Sequence, residues 1–90
     1  MGTSIRIPQL WVELTDGASA VAVCGSTVAE CLDELTRRYP PLKEKLFAGS
    51  GNLHTYIEVY INGASAFPGE LKKPVAEGDE LQLLNIIAGG

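Results

Sequence analysis

His54 is the single imidazole of the chain, so any Ser–His or Cys–His nucleophilic pair has to use it. It lies at the entrance of an alternating segment, beside a Gly-rich loop, where a solvated or structural histidine is the ordinary outcome. General acid–base work needs a partnered group in a cleft. Cys24 and Cys31 stand seven positions apart with no second pair, and with one histidine they are too few for tetrahedral zinc. Cys31 falls on an apolar helical stripe, which predicts a buried, inert thiol; the lesser alternative is a Cys24 that is exposed and reactive. Gly49-Ser50-Gly51 lacks the lysine and the following helix of a phosphate-binding loop. The carboxylates scatter over turns and the outer face of the helix. These residues assemble no catalytic constellation, and the chain does not read as an enzyme.

The remaining chemistry is at the end of the sequence, Ile86-Ile87-Ala88-Gly89-Gly90. A strand pattern runs into Gly-Gly. Glycine has no Cβ, so Ala88-Gly89-Gly90 can thread a narrow slot. The four residues from Ile87 to Gly90 can reach roughly 13 Å, far enough to enter another protein's active site. A free carboxylate there, with a pKa of about 3.3–3.7, is ionised at neutral pH and resists nucleophilic attack until it is activated. By itself the dipeptide is equally what a frayed terminus looks like.

The elements must deliver that segment. Ninety residues with 46% hydrophobic and 20% charged side chains support one compact domain and exclude a disordered acidic tail. Eleven acidic against seven basic residues give a net charge of -4. That balance argues against nucleic acid and against a polybasic membrane contact, and fits a partner with a basic groove. The first residues lack the pattern of a signal peptide, and no apolar run approaches the ~20 residues of a membrane span. The expected compartment is the cytoplasm.

Ile5–Leu14 has strand character, with Pro8 as an irregularity; Asp16-Gly17 is a turn, and Ala20–Cys24 reads as the returning strand of a hairpin. Thr27 and Glu30 fit a capping box, each side chain free to take the other's amide. Val28, Cys31, Leu32, Leu35 and Tyr39 then share one face of a helix that Pro40-Pro41 ends. Leu42–Phe47 offers one further helical turn. His54–Asn62 alternates, with Ile57, Val59 and Ile61 on one face and Tyr56, Glu58 and Tyr60 on the other. Asn62-Gly63 turns the chain into a short strand over Ala64–Phe67, which Pro68-Gly69 breaks. Glu77-Gly78-Asp79 turns it into a last strand over Glu80–Ile87. One amphipathic helix has to cover one face of a mixed sheet, an α+β arrangement. The domain is expected over residues 1–87, with 88–90 as a flexible tail.

Several motifs recur together: Leu53-His54, Val59-Tyr60-Ile61-Asn62-Gly63, Phe67-Pro68-Gly69-Glu70-Leu71, Glu77-Gly78-Asp79-Glu80-Leu81 and Ile87-Ala88-Gly89-Gly90. In this spacing the chain resembles the ThiS/MoaD family of ubiquitin-like (β-grasp) sulfur carrier proteins over nearly its whole length, and most of all its CysO-type carriers. Asn85-Ile86 stands where the molybdopterin carriers usually have prolines.

The resemblance implies that an E1-like enzyme adenylates Gly90 and that sulfur converts it to a thiocarboxylate. That sulfur would then pass to a downstream synthase of the cysteine, molybdopterin or thiamine type. It implies no cofactor on this chain, since ATP and magnesium belong to the activating enzyme. If the helix covers the Ile57 face, Tyr56 and Tyr60 stand on the open face of the sheet, and with Leu84 and Ile86 they form a docking patch towards the tail. The alternatives are a ubiquitin-like modifier joined to proteins through Gly90, or a β-grasp interaction module whose tail has no chemistry.

Overall fold

In the computed structural model, which describes residues 2–49 and 51–86, five strands form one mixed sheet in the order β2-β1-β5-β3-β4. The first strand, β1 (Thr3–Arg6), buries Thr3 and Ile5 and pairs antiparallel with β2 (Ala20–Val23), Ile5 opposite Val21. The strand expected to reach Leu14 stops at Arg6. Pro8 has no N–H to give a ladder, and Gln9–Thr15 coils instead into a 3-10 helix that buries Trp11 and Thr15. The Thr15 hydroxyl closes this helix, lying within reach of the carbonyls of Val12 (3.0 Å) and Ala18 (2.7 Å). Asp16 and Gly17 then turn the chain through the left-handed region, at φ 56° and 87°.

The main helix, α1 (Val28–Arg38), lies against one face of the sheet through Val28, Cys31, Leu32 and Leu35, all fully buried. Its start differs from the expected box by one residue. The Thr27 hydroxyl accepts the Glu30 N–H at 3.2 Å, but the Glu30 carboxylate takes the N–H and the hydroxyl of Ser26 at 2.8 and 2.9 Å. Those bonds from Ser26 hold the Glu30 carboxyl below its ordinary value. Burial pushes the Cys31 thiol up, as its inert reading requires, while Cys24 is exposed. Pro40 and Pro41 end α1 and also begin α2 (Pro41–Leu46), which buries Leu42 and Leu46. Proline suits a first helical turn because no hydrogen bond is asked of its nitrogen.

The central strand is β5 (Glu80–Asn85). It runs parallel to β1 and antiparallel to β3 (Ile57–Ile61), and it buries Leu81 and Leu83 beneath α1. The third strand starts three residues later than the alternation suggested, because the His54 carbonyl accepts the Ile57 N–H in a turn at 3.1 Å. Asn62 and Gly63, at φ 51° and 86°, form the two-residue hairpin to β4 (Ala64–Ser65), which is shorter than the expected Ala64–Phe67 segment.

Two turn motifs that are separate in sequence meet at the start of β5. The Asn62 side chain donates to Asp79 (3.0 Å) and accepts the Glu80 N–H (2.9 Å), while Asp79 also accepts the Ala76 N–H (2.8 Å). The bonds from Ala76 and then Asn62 lower the Asp79 pKa. A lowered folded-state pKa contributes stability above the unfolded value of about 3.9, and that contribution is lost as pH falls through the folded value. Asp79→Ala is therefore expected to lose less stability than wild type between neutral pH and about pH 3 in urea titrations. An equal acid loss in the two proteins would mean that the clasp is not formed.

Candidate functional site

Because β5 is flanked on both sides, it is a rigid base for whatever follows it. Beyond Asn85 the Ile86 N–H still donates to the Tyr56 carbonyl at 2.8 Å, and the Ile86 side chain is 49% exposed. Ile87, Ala88, Gly89 and Gly90, which carry the expected tail chemistry, lie outside the described residues. The structure thus gives the root of that segment, its setting, and the surface beside it.

On the sheet face turned away from α1, Tyr60 sits opposite Gln82 and Glu58 opposite Leu84. Arg6, also level with Gln82, forms an exposed 3.4 Å pair with Glu80 across the β1–β5 ladder. The Tyr60 hydroxyl donates to the Glu58 carboxylate at 3.1 Å, and that acceptor raises the Tyr60 pKa, keeping the phenol protonated. Tyr56, Tyr60 and Leu84 are half-buried rather than fully exposed. Tyr56 also packs on the core, and its ring stacks on His54 with centroids 4.8 Å apart and planes within 10°. The four residues of the expected docking patch therefore form two pairs: Tyr60 and Leu84 on the open face, Tyr56 and Ile86 at the root of the tail.

His54 is structural. Its Nε2 lies 3.0 Å from the Glu44 carbonyl, which only accepts, so this nitrogen carries a proton and ties α2 to the approach of β3. Among the described residues no group of three His, Cys, Asp or Glu side chains is placed to share a metal ion. Ser50 of the Gly-rich loop lies outside them. No helix among the described residues is long and apolar enough to cross a membrane. Phe67, 72% exposed, is a surface aromatic that the pattern reading passed over; its place just before Pro68-Gly69, where no strand can continue, was the available signal.

A five-stranded mixed sheet in this order, with one main helix across a single face, is a β-grasp, ubiquitin-like fold. The described fold superposes with a TM-score of 0.89 on a chain from the crystal structure of the Amycolatopsis orientalis BexX/CysO complex, at 33% identity, covering 99% of this chain and 100% of that one. Small archaeal modifier protein 1 from Haloferax volcanii is similar at a TM-score of 0.84 and 31% identity, with 98% of each chain covered. Among curated proteins, the sulfur carrier protein CysO of Mycobacterium tuberculosis is 30% identical over 93 residues that span the whole of both chains. The model of the ThiS family matches residues 5–90, and the chain belongs to that family. It is a sulfur carrier protein of the ThiS/CysO type, and not an enzyme.

Proposed function

We propose that Gly90 is the reacting residue and that its carboxylate becomes a thiocarboxylate. An oxygen of the carboxylate attacks the α-phosphorus of ATP on an E1-like activating enzyme, and pyrophosphate leaves. A sulfur donor then adds to the acyl carbon, the bond to AMP breaks, and Gly90 holds sulfur in place of one oxygen. ATP and magnesium belong to the activating enzyme. The tethered sulfur is a nucleophile on a protein handle, which a downstream sulfur-accepting synthase docks and positions. What supports this reading is that the family match runs through residue 90 and so includes Gly89-Gly90. The likeness to CysO favours delivery to cysteine synthesis over molybdopterin or thiamine synthesis. Intact mass after incubation with a cognate activating enzyme, ATP and sulfide tests it. The expected result is the gain of one sulfur for one oxygen; an unchanged mass overturns the reading.

The partner surface proposed is the open face at Tyr60 and Leu84, continued by Tyr56 and Ile86 to the tail. A CysO from Amycolatopsis orientalis in complex with BexX supports a docking surface on a fold of this kind. Tyr60→Ala is expected to weaken binding to the activating enzyme by roughly tenfold or more, with the melting temperature nearly unchanged. Equal binding in a titration calorimeter removes Tyr60 from the interface. A second reading, conjugation to lysines of other proteins through Gly90, is favoured by the likeness to small archaeal modifier protein 1. Isopeptide adducts in cells distinguish it.

A further inference from the structure

The sequence holds three asparagines, and only Asn62 is followed by glycine. The backbone nitrogen of that glycine is an uncrowded nucleophile, because the residue that carries it has no Cβ. Asn52 and Asn85 precede Leu53 and Ile86, whose side chains crowd the same atom. At Gly63 the nitrogen is open. Asn62 and Gly63 are both exposed, a Cβ added to Gly63 would meet nothing within 4 Å, and the Gly63 N–H makes no hydrogen bond among the described residues.

What keeps the pair from reacting is the clasp at the start of β5. Asn62 Nδ2 donates to Asp79 Oδ1 at 3.0 Å and Asn62 Oδ1 accepts the Glu80 N–H at 2.9 Å, so both ends of the carboxamide are tied. The Asn62 backbone N–H bonds the same way, to the Glu80 carbonyl at 2.8 Å. Because β3 lies between β5 and β4, the side chain is drawn towards β5 while Gly63 starts the return to β4 on the other side. For the Gly63 nitrogen to reach Asn62 Cγ, the carboxamide has to turn, and both of its bonds break first. A clasp made by an exposed side chain opens locally, at a cost below that of global unfolding.

We propose that Asn62 is a site of self-modification, deamidated through Gly63 when the clasp opens, and that Asp79 restrains the reaction. With the clasp open, the Gly63 nitrogen adds to Asn62 Cγ and gives its proton to water, the Cγ–Nδ2 bond breaks, and ammonia leaves. Water then opens the resulting succinimide at either carbonyl, to aspartate or to isoaspartate, with no oxidant or cofactor. The aspartate product has lost the donor that faced Asp79. A carboxylate stands in its place, against an oxygen that lay 3.0 Å from the lost nitrogen. Two carboxylates at that spacing cannot both ionise without cost, so the clasp does not reclose at neutral pH. The start of β5, which pairs with β1 and β3, then loses this tie. The proposal stands on the hairpin and the clasp and is independent of the chemistry at Gly90.

In the test, the full chain is incubated at mildly alkaline pH below its melting range, and released ammonia is measured beside peptide mass maps. Ammonia separates this reaction from isomerisation at Asp16-Gly17, which frees none. Conversion at Asn62 is expected to be roughly tenfold or more faster in Asp79→Ala than in wild type, since that variant loses a hydrogen bond to a charged acceptor. Leu35→Ala, at a fully buried site, weakens the whole domain but leaves the clasp, and is expected to accelerate conversion less. Asn62→Gln, whose longer side chain closes the ring less readily, is expected to release no ammonia from that position. Asn62→Asp makes one product directly and is expected to melt below wild type at neutral pH. Equal rates in wild type and Asp79→Ala overturn the proposal, as does an acceleration in Leu35→Ala that matches Asp79→Ala. Conversion at Asn52 or Asn85 in preference to Asn62, or an unchanged melting midpoint in Asn62→Asp, overturns it as well.

Discussion

Deleting Gly90, or replacing Gly89 with valine, is expected to abolish pyrophosphate release with the cognate activating enzyme while leaving the melting curve in place. Removing one residue withdraws the terminal carboxylate by about 3.3–3.6 Å along an extended chain. Misplacing a reacting atom by ~1 Å can already cost about a hundredfold in rate, so the loss is expected to be at least that large. A β-branched side chain at position 89 acts differently. The carboxylate keeps its reach, but the branch meets the walls of a slot that only glycine fits. Every buried side chain among the described residues precedes Ile86, so neither change alters a side chain of that core. Residues appended after Gly90 are expected to block the reaction until a protease removes them. Adenylation at the wild-type rate by the shortened or extended chain would mean that Gly90 is not the reacting residue, whatever the family likeness.

How far the sequence disclosed this arrangement depended on whether a local signal had one physical solution. For α1 it did: a capping threonine, a period of 3.6 and Pro40-Pro41 agree with one another, and the buried face is the one the spacing names. Ile5, Ile7 and Trp11 were ambiguous, since their common parity fits a strand as well as a strand followed by a 3-10 helix. Pro8 decided for the second. Glu30 had two amides within reach, and choosing Ser26 over Thr27 turned on the local backbone path. Asn62-Gly63 and Glu77-Gly78-Asp79 were visible as turns, but their meeting through the Asn62 and Asp79 side chains needs the β3–β5 register, which no local pattern carries.

The largest stability effect is expected from Leu35→Ala. Leu35 is fully buried, like Val28, Cys31 and Leu32 on the same helical face, and its carbonyl also takes the Tyr39 N–H that closes α1. Truncating a leucine at such a site removes the transfer energy of the lost methyl groups and leaves a space that a close-packed neighbourhood fills only in part. The cost is about 2–5 kcal/mol. Domains of this size hold only about 5–15 kcal/mol in total, so the loss is a large fraction of the whole. At about 4–8 °C per kcal/mol for a domain of 60–100 residues, the midpoint is expected to fall by at least ~8 °C. Leu10→Ala is the matched control: the same chemical change at a side chain 76% exposed is expected to stay within about 0.5 kcal/mol. Below the melting range the folded fraction of Leu35→Ala still presents β5 and the residues after it, so its sulfur loading per folded molecule is expected to equal that of wild type. This reverses the pattern of the Gly90 deletion, which spares the fold and loses the chemistry. If Leu35→Ala costs less than ~1 kcal/mol in urea unfolding, α1 does not cover the sheet through that residue. If Leu10→Ala costs as much as Leu35→Ala, the apolar stripe of α1 is not what holds the sheet that carries the tail.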